Sequence, residues 1–278
     1  MKGKLYPCLW FDGKAKEAAT YYSSVFENSK ITSENPMVVI FELNGMQFMG
    51  LNGGPQFKIN PSISFFVFAD SAEEIDKKWK DLSADGNVMM PLDKYPWNEK
   101  YGWCQDKFGV TWQLMMNDNG AEQKIVPSFM FTKQQSGRAE EAINFYTSVF
   151  KNSKVEMISR YEKGEPDVEG NIKHARFTLN GQAFAAMESS GPHAFTFNEG
   201  ISLVVPCDDQ EEIDYFWNKL SEGGKESQCG WLKDKFGMSW QIVPAILGKL
   251  MSDPAKGKRV MELVMKSVKF NIEELENA

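Results

Sequence analysis

Apolar residues along the chain follow strand and helix periods that alternate with turn signals. Leu5 to Phe11 is predicted to be a short strand, and Ile63 to Ala69 a strand covered on both faces. Between them, Met37 to Leu43 and Met46 to Leu51 flank Asn44-Gly45, a dipeptide typical of type I′ hairpins. This part of the chain is therefore expected to be rich in short strands.

Two amphipathic helices are predicted in the same region. Ser71 with Glu74 three residues later forms a capping box, which indicates a helix start. The other helix follows Asp12-Gly13, and its buried face is predicted to consist of Ala15, Ala18, Ala19, Tyr22, Val25 and Phe26. Each half of the chain is thus predicted to hold two strand-helix-strand-strand-strand units.

A motif near the end of the first half returns near the end of the second half. Trp-x-x-Asp-Lys-Phe-Gly-x-Thr/Ser-Trp-Gln runs from Trp103 to Gln113 and again from Trp231 to Gln241. Asp-Lys-Phe-Gly predicts a tight turn, and the following residues predict a terminal strand. Because side chains alternate along a strand, Thr111, Gln113 and Met115 share the face opposite the motif's second tryptophan.

The two halves repeat each other closely enough to indicate duplicated domains. For example, Leu43-Asn44-Gly45 returns as Leu179-Asn180-Gly181. The tail is expected to pack on its own domain or on a twofold mate, so homodimerisation stays open. The predicted boundaries are a domain over 1–118, a linker over 119–124, a second domain over 125–247 and a helical tail over 248–278.

Composition excludes several classes of partner. The 278 residues are 42% hydrophobic and carry a net charge of −7, which argues against general affinity for nucleic acid or anionic membranes. No signal peptide or membrane span is visible, so a cytoplasmic location is expected. The four cysteines lie far apart and are predicted to be reduced.

Motifs of common cofactor and hydrolase sites are not found in the sequence. It has no Gly-x-Gly-x-x-Gly turn after a first strand, no Gly-x-x-x-x-Gly-Lys-Ser/Thr loop and no Gly-x-Ser-x-Gly elbow. The glycine-rich loop and alternating strands and helices of a doubly wound methyltransferase are not visible either. What remains is a pocket lined by aromatic and small polar residues.

The repeated motifs resemble those of one known superfamily. The helix ending in Tyr-x-Ser-Val-Phe, the Leu-Asn-Gly turns and the Trp-x-x-Asp-Lys-Phe-Gly-x-Ser-Trp-Gln motif are similar to the PhnB-like branch of the vicinal oxygen chelate, or glyoxalase/bleomycin-resistance, superfamily. The resemblance implies an α+β fold of tandem glyoxalase-like domains, each with two βαβββ modules that form a curved open barrel. Many members are labelled demethylubiquinone methyltransferase.

Enzymes of that superfamily hold a divalent metal with four inward-facing His, Glu or Gln side chains. The resemblance places the fourth ligand position on Gln113 and Gln241. The other positions fall near Cys8, Ser128, Ser62, Gly200, Met49 and Ala185. Since one glutamine amide is a weak neutral ligand, we expect no metal cofactor.

We therefore expect the cavities to bind a small aromatic or amphipathic molecule. His174 is expected to be a hydrogen-bonded structural residue rather than a pocket acid or base. The alternatives are a metal-dependent lyase or dioxygenase that recruits His174, His193 or Glu188, the methyltransferase of the family label, or a scaffold domain. The predicted ligand-binding residues are Cys8, Trp10, Trp97, Trp103, Thr111, Gln113, Met115, Ser128, Met130, His174, Ser239 and Gln241.

Overall fold

A computed structural model describes residues 3–118 and 120–278. Within these ranges the chain forms sixteen strands and seven α-helices. The strands are β1 (Tyr6–Phe11), β2 (Lys30–Glu34), β3 (Val38–Leu43), β4 (Met46–Asn52), β5 (Ile63–Ala69), β6 (Asn87–Tyr95), β7 (Asn98–Gln105), β8 (Thr111–Met116), β9 (Ile125–Thr132), β10 (Lys154–Arg160), β11 (Ile172–Leu179), β12 (Gln182–Ser189), β13 (Ile201–Cys207), β14 (Lys225–Glu226), β15 (Trp231–Lys233) and β16 (Ser239–Pro244). The helices are α1 (Ala15–Val25), α2 (Ala72–Ser83), α3 (Ala139–Val149), α4 (Gln210–Ser221), α5 (Leu247–Met251), α6 (Gly257–Lys266) and α7 (Ile272–Glu276).

These elements form four βαβββ modules with the same internal topology. The modules are β1 to β4 with α1, β5 to β8 with α2, β9 to β12 with α3, and β13 to β16 with α4. In each, the first strand pairs in parallel with the fourth. The fourth, third and second strands then pair antiparallel in that order. The predicted α+β class and its strand-helix-strand-strand-strand units are confirmed.

Local sequence explains the turns and helix starts of the modules. Asn44 and Gly45 have φ of 47° and 78°, the left-handed values that the hairpin between β3 and β4 requires. Ser71 caps α2 by accepting a hydrogen bond from the Glu74 backbone N–H at 3.2 Å. The predicted apolar face of α1, from Ala15 to Val25, is buried.

The second and third modules share one sheet. β5 pairs antiparallel with β9, with Ile63 opposite Phe129 and Val67 opposite Ile125. The strand order is β10-β11-β12-β9-β5-β8-β7-β6. This eight-stranded sheet therefore joins half of the first repeat to half of the second, across the segment predicted as a linker.

The helix-covered side of this sheet is closed by the first module. Trp112 on β8 packs on Tyr22 of α1 and on Phe26, with ring centroids 5.4 and 5.1 Å apart. Phe65 on β5 lies 5.4 Å from the same indole and 5.3 Å from Phe48. Because side chains alternate along β8, the residues on either side of Trp112 face the other side of the sheet.

The chain forms two compact units whose limits differ from the sequence repeat. One unit is Cys8–Ile201, which contains most of the first three modules. The other consists of 3–7 and Ser202–Ala278, and contains the fourth module with the tail. The repeat boundary near residue 120 therefore lies inside the larger unit.

The tail packs on its own unit. The Cys229 and Gly230 backbone N–H groups donate to the carbonyls of Ser267 and Val268 at 2.7 and 2.9 Å. Lys269 pairs with Asp214 on α4 at 2.7 Å. In the tail and elsewhere, the described residues include no helix long and apolar enough to cross a membrane.

Candidate functional site

The repeated motif builds a turn around one buried carboxylate. Asp106 Oδ1 accepts hydrogen bonds from the backbone N–H groups of Phe108 and Val110 at 2.8 and 3.1 Å. Its Oδ2 accepts from the Tyr22 hydroxyl and from Trp112 Nε1, both at 2.8 Å. Burial raises the pKa of Asp106, and these four donors oppose that rise. The carboxyl thus fixes the turn before β8 and fastens it to α1.

The opposite face of β8 carries Gln113, which is held at both ends of its amide. The Tyr101 hydroxyl donates to Gln113 Oε1 at 2.6 Å, and Gln113 Nε2 donates to Ser64 Oγ at 2.8 Å. Gln113 is 1% exposed. Because burial raises the pKa of Tyr101, its phenol keeps the proton that it donates. The neighbouring strands therefore set the orientation of this glutamine.

The sheet is cupped on the side of Gln113. The His174 ring on β11 meets the Phe66 ring on β5 edge-on, with centroids 5.9 Å apart. These strands are three positions apart in the sheet, a separation of roughly 14 Å in a flat one. We call this surface, which carries Ser64, Phe66, Gln113, Ser128 and His174, the concave face.

An apolar wall surrounds the polar groups of the concave face. Phe66, Tyr101, Val126 and Ala185 form its buried cluster, with contributions from both modules of the sheet. Partly buried side chains pack against the cluster, and they are Phe68, Met90, Tyr95, Trp103, Met115, Ala183 and Met187. Aromatic and methionine side chains around a few polar groups are typical of small-molecule sites.

Two buried polar atoms of the concave face have no hydrogen-bond partner among the described residues. They are Ser128 Oγ and Trp103 Nε1. Trp103 lies opposite Gln113 in the strand register, and Ser128 lies opposite Ser64. An unpaired buried polar group costs about 1–3 kcal/mol. A ligand with an acceptor for the indole N–H and a partner for the hydroxyl would remove that cost.

His174 completes the polar set. Burial, with a smaller contribution from the nearby Arg176 charge, lowers its pKa to about 4. The imidazole is therefore neutral at physiological pH and can donate one hydrogen bond and accept another. In the described residues it contacts Phe66 but forms no hydrogen bond, so the predicted hydrogen-bonded structural role is not what the geometry provides.

The second copy of the motif repeats the turn but not the whole polar set. Asp234 accepts from the Phe236 and Met238 backbone N–H groups and from Trp240 Nε1, each within 3.0 Å. Gln241 Nε2 donates to Ser202 Oγ at 2.9 Å. The second site also has a buried unpartnered hydroxyl, which belongs to Ser239. In sequence, Cys229 stands where the first motif has Tyr101.

The other predicted site residues lie in three places. Thr111, Met115 and Met130 are on the eight-stranded sheet, and Thr111 Oγ1 donates to the Ile63 carbonyl at 3.2 Å. Trp97 is 56% exposed at the turn between β6 and β7 and stacks on Tyr95 at 5.0 Å. It is therefore an exposed aromatic residue at the edge of the sheet.

Cys8 and Trp10 lie apart from this group. They are on β1, which pairs with β4, and so they are not part of the sheet that carries Gln113. Trp10 Nε1 donates to the Gly54 carbonyl at 2.8 Å, and its ring lies 5.0 Å from Phe57. Cys8 and Trp10, which were predicted as ligand-binding residues together with Gln113, therefore lie on a different sheet from Gln113.

Comparison with known proteins assigns the chain to a family. The residues 3–115 and 123–243 each match the model of the family described as 3-demethylubiquinone-9 3-methyltransferase. The two matches coincide with the two repeats and cover most of the chain. This protein belongs to the PhnB-like 3-demethylubiquinone-9 3-methyltransferase family. The resemblance noted from its motifs is thereby confirmed.

The chain is also similar to several solved structures. The PhnB protein of Bacillus cereus is 37% identical, covering 41% of this chain and 99% of that one, with a TM-score of 0.39. A Staphylococcus aureus protein is 32% identical over 42% of this chain and 97% of its own, with a TM-score of 0.20. Glyoxalase I from Zea mays is 12% identical, covers 87% of this chain and 93% of that one, and has a TM-score of 0.57. The last likeness shows the tandem vicinal oxygen chelate fold. No protein of curated function matches significantly in sequence.

The metal-ligand positions of this fold carry unsuitable donors in this PhnB-like chain. Ser128 and Ala185 pair side by side, and Gln113 lies two strands from Ser128. A hydroxyl, a methyl group and a neutral amide do not hold a divalent ion. In the ranges that the structure describes, no three His, Cys, Asp or Glu side chains converge. The residues present therefore do not fit the superfamily's metal.

The side chains named for a metal-dependent alternative are engaged elsewhere. Glu188 accepts hydrogen bonds from the backbone N–H groups of Ala139 and Ile172 at 2.8 and 2.6 Å, and so caps α3. His193 Nε2 lies 2.7 Å from Ser189 Oγ. His174 is on the concave face without either of them. Among the described residues, His174, His193 and Glu188 therefore do not form one donor set.

Sequence reasoning missed three residues of the concave face, namely Tyr101, Ser64 and Arg176. Ser64 is the only polar residue between Ile63 and Ala69, and a lone serine in an apolar strand indicates a polar partner on one face. Arg176 is two residues from His174, so strand alternation places it on the same face. Tyr101 has the same relation to Trp103.

Proposed function

We propose that this protein binds a small aromatic or amphipathic molecule on the concave face of the eight-stranded sheet, without a bound divalent metal. The proposal rests on Trp103 Nε1 and Ser128 Oγ, which have no hydrogen-bond partner among the described residues. Both atoms are buried on a surface that otherwise presents aromatic and methionine side chains. Such a surface can bury a flat aromatic ring, and its few polar atoms can form hydrogen bonds with matching polar atoms of the ligand.

The hydrogen-bonding groups favour a ligand with a carbonyl or similar oxygen. Trp103 can only donate, whereas Ser128 and the neutral His174 can each donate or accept. Gln113 already has a partner for Oε1 and one for Nε2. Its role is to hold Tyr101 and Ser64 in place as a rigid floor.

Methyl transfer is the second candidate, because the family's description names it. A demethylated quinol is an aromatic, amphipathic molecule of the kind that the concave face suits. The reaction would also need S-adenosylmethionine, whose binding a separate thermal-shift measurement tests.

The experiment is a titration with 1-naphthamide, a neutral aromatic probe with a carbonyl acceptor, followed by tryptophan fluorescence and thermal shift. Trp103→Phe keeps an aromatic side chain, smaller than the indole, and removes the N–H; we expect about tenfold weaker binding, the equivalent of one hydrogen bond of about 1.4 kcal/mol. Trp97→Phe is the matched control, because Trp97 is 56% exposed at the edge of the sheet. We expect it to bind nearly as the unaltered protein does.

The outcomes separate the candidates. Equal loss in both tryptophan variants, or no binding at all, would overturn the concave face as the site. Stoichiometric zinc, nickel or iron in the purified protein, with binding lost on chelation, would overturn the metal-free proposal. A thermal shift with S-adenosylmethionine and methylation of a catechol would establish the second candidate.

A further inference from the structure

Arg176 lies on the concave face beside His174. β11 places its odd-numbered residues Ala175, Phe177 and Leu179 in the core, and its even-numbered residues on the opposite side. Arg176 pairs with Ala185, and Ala185 pairs with Ser128. Arg176, which is exposed, therefore belongs to the row of residues that crosses the sheet to the unpartnered serine.

Arg176 has no ion-pair or hydrogen-bond partner among the described residues, unlike the cations around it. On β10, Arg160 pairs with Glu140 at 2.7 Å, and Lys154 pairs with Glu156 at 3.2 Å. On β11, the strand of Arg176, Lys173 pairs with Glu165. Glu140, Glu156 and Glu165 thus lie nearby, but each pairs with another cation and none pairs with Arg176.

The concave face has one charged side chain in its central strands. The residues that β12, β9, β5 and β8 direct to this side are serine, threonine, glutamine and apolar types. β11 adds threonine, His174 and Arg176, and His174 is neutral at physiological pH. Among the described residues of these five strands, Arg176 is therefore the unpaired charge on the concave face, although the whole chain carries −7. One guanidinium charge in an acidic protein attracts an anion only at close range.

We propose that the concave face binds an organic anion, an aromatic or amphipathic carboxylic acid whose carboxylate pairs with Arg176. The guanidinium fork matches a carboxylate in two parallel hydrogen bonds. The apolar part of the ligand packs against Phe66, Met115 and Met187. Any further oxygen of the ligand accepts from Trp103 Nε1. This inference rests on the proposed function and narrows its ligand class.

The test compares two probes of nearly equal shape, 1-naphthoate and 1-naphthamide, by titration calorimetry at pH 7.5. We expect the intact protein to bind 1-naphthoate about tenfold more tightly, and we expect added salt to reduce the difference. Arg176→Gln should remove the preference and leave 1-naphthamide affinity nearly unchanged. Arg160→Gln is the matched control, because Arg160 lies on the adjacent strand and pairs with Glu140.

Each outcome tests either the anion inference or the proposed function on which it rests. Equal affinity for both probes in the intact protein would overturn the anion inference and leave the proposed function standing. Failure of both probes to bind would overturn the proposed function as well. A preference lost equally in Arg160→Gln would show a general charge effect and contradict the role of Arg176. Arg176→Lys, which keeps the charge, should retain part of the preference and thus rules out misfolding as the cause.

Discussion

The two copies of the terminal motif share a turn and differ in what supports the glutamine. Asp106 and Asp234 each bind two backbone N–H groups and a tryptophan N–H in the same geometry. Gln113, however, is held between Tyr101 and Ser64. Gln241 donates to Ser202, and its motif has a cysteine in place of the tyrosine.

The difference separates residues that build the fold from residues that shape the site. The aspartate, turn and tryptophan recur because the second and fourth modules each have their fourth strand, β8 or β16, fastened by this turn. The partners of the glutamine vary, and in the first repeat they lie on the face that we propose as the ligand side. A motif that occurs twice therefore indicates architecture first, and its variable neighbours indicate function.

The largest expected effect tests the shared part. Asp106→Asn keeps the shape but sets an amide N–H against donors, so we expect unfolding to become easier by about 3 kcal/mol. Asp234→Asn should lose a similar amount. Urea unfolding of both variants measures the two changes. Losses below 1 kcal/mol in either copy would contradict the architectural role of the carboxylate.

Much of the shared architecture is predictable from local sequence. Asn44-Gly45 allows one tight hairpin, the apolar run from Ile63 to Ala69 allows a covered strand, and Ser71 marks a helix start. All three are observed. These features depend on residues close together in the chain, so they can be predicted from the local sequence without knowledge of the tertiary fold.

The composition of the site is less predictable. Ser64 meets Ser128 because β5 pairs with β9, a contact that joins different repeats. No local pattern specifies which module pairs with which, so the sequence alone predicted Cys8, Trp10 and Gln113 as ligand-binding residues without showing which of them share a sheet. The unpartnered state of Trp103 Nε1 likewise depends on neighbours far along the chain.

A second prediction concerns pH, and it sharpens the comparison because the first repeat has Val38 where the second has His174. The folded pKa of His174 is about 4, below the unfolded value of 6.5. As pH falls below 6.5 the unfolded chain binds a proton that the folded chain rejects, so stability falls until about pH 4. With solvent screening we expect a loss of roughly 2 kcal/mol over this window.

His174→Gln should remove that pH-dependent loss. The chain has two histidines, so NMR titration of both imidazoles, assigned with His193→Gln, follows His174 directly. A His174 resonance that titrates near pH 6.5 would contradict its burial on the concave face.

The smallest expected effect tests the variable part. Tyr101→Phe removes the hydroxyl that donates to Gln113, and we expect a loss of about 1 kcal/mol in unfolding free energy. Tyr95→Phe is the matched control, because the Tyr95 hydroxyl donates to the exposed Pro91 carbonyl at 3.0 Å. Equal losses in the two variants would show that the buried Tyr101 hydrogen bond stabilises the fold no more than the exposed Tyr95 hydrogen bond does.

The central claim is that the concave face is the binding surface, and methyl-labelled methionine NMR tests it most directly. On addition of 1-naphthamide, the methyl signals of Met115 and Met187, which pack against the concave cluster, should shift. Those of the exposed Met37 and Met265 should stay in place. Shifts confined to the exposed methionines, with Met115 and Met187 unmoved at saturation, would contradict the account.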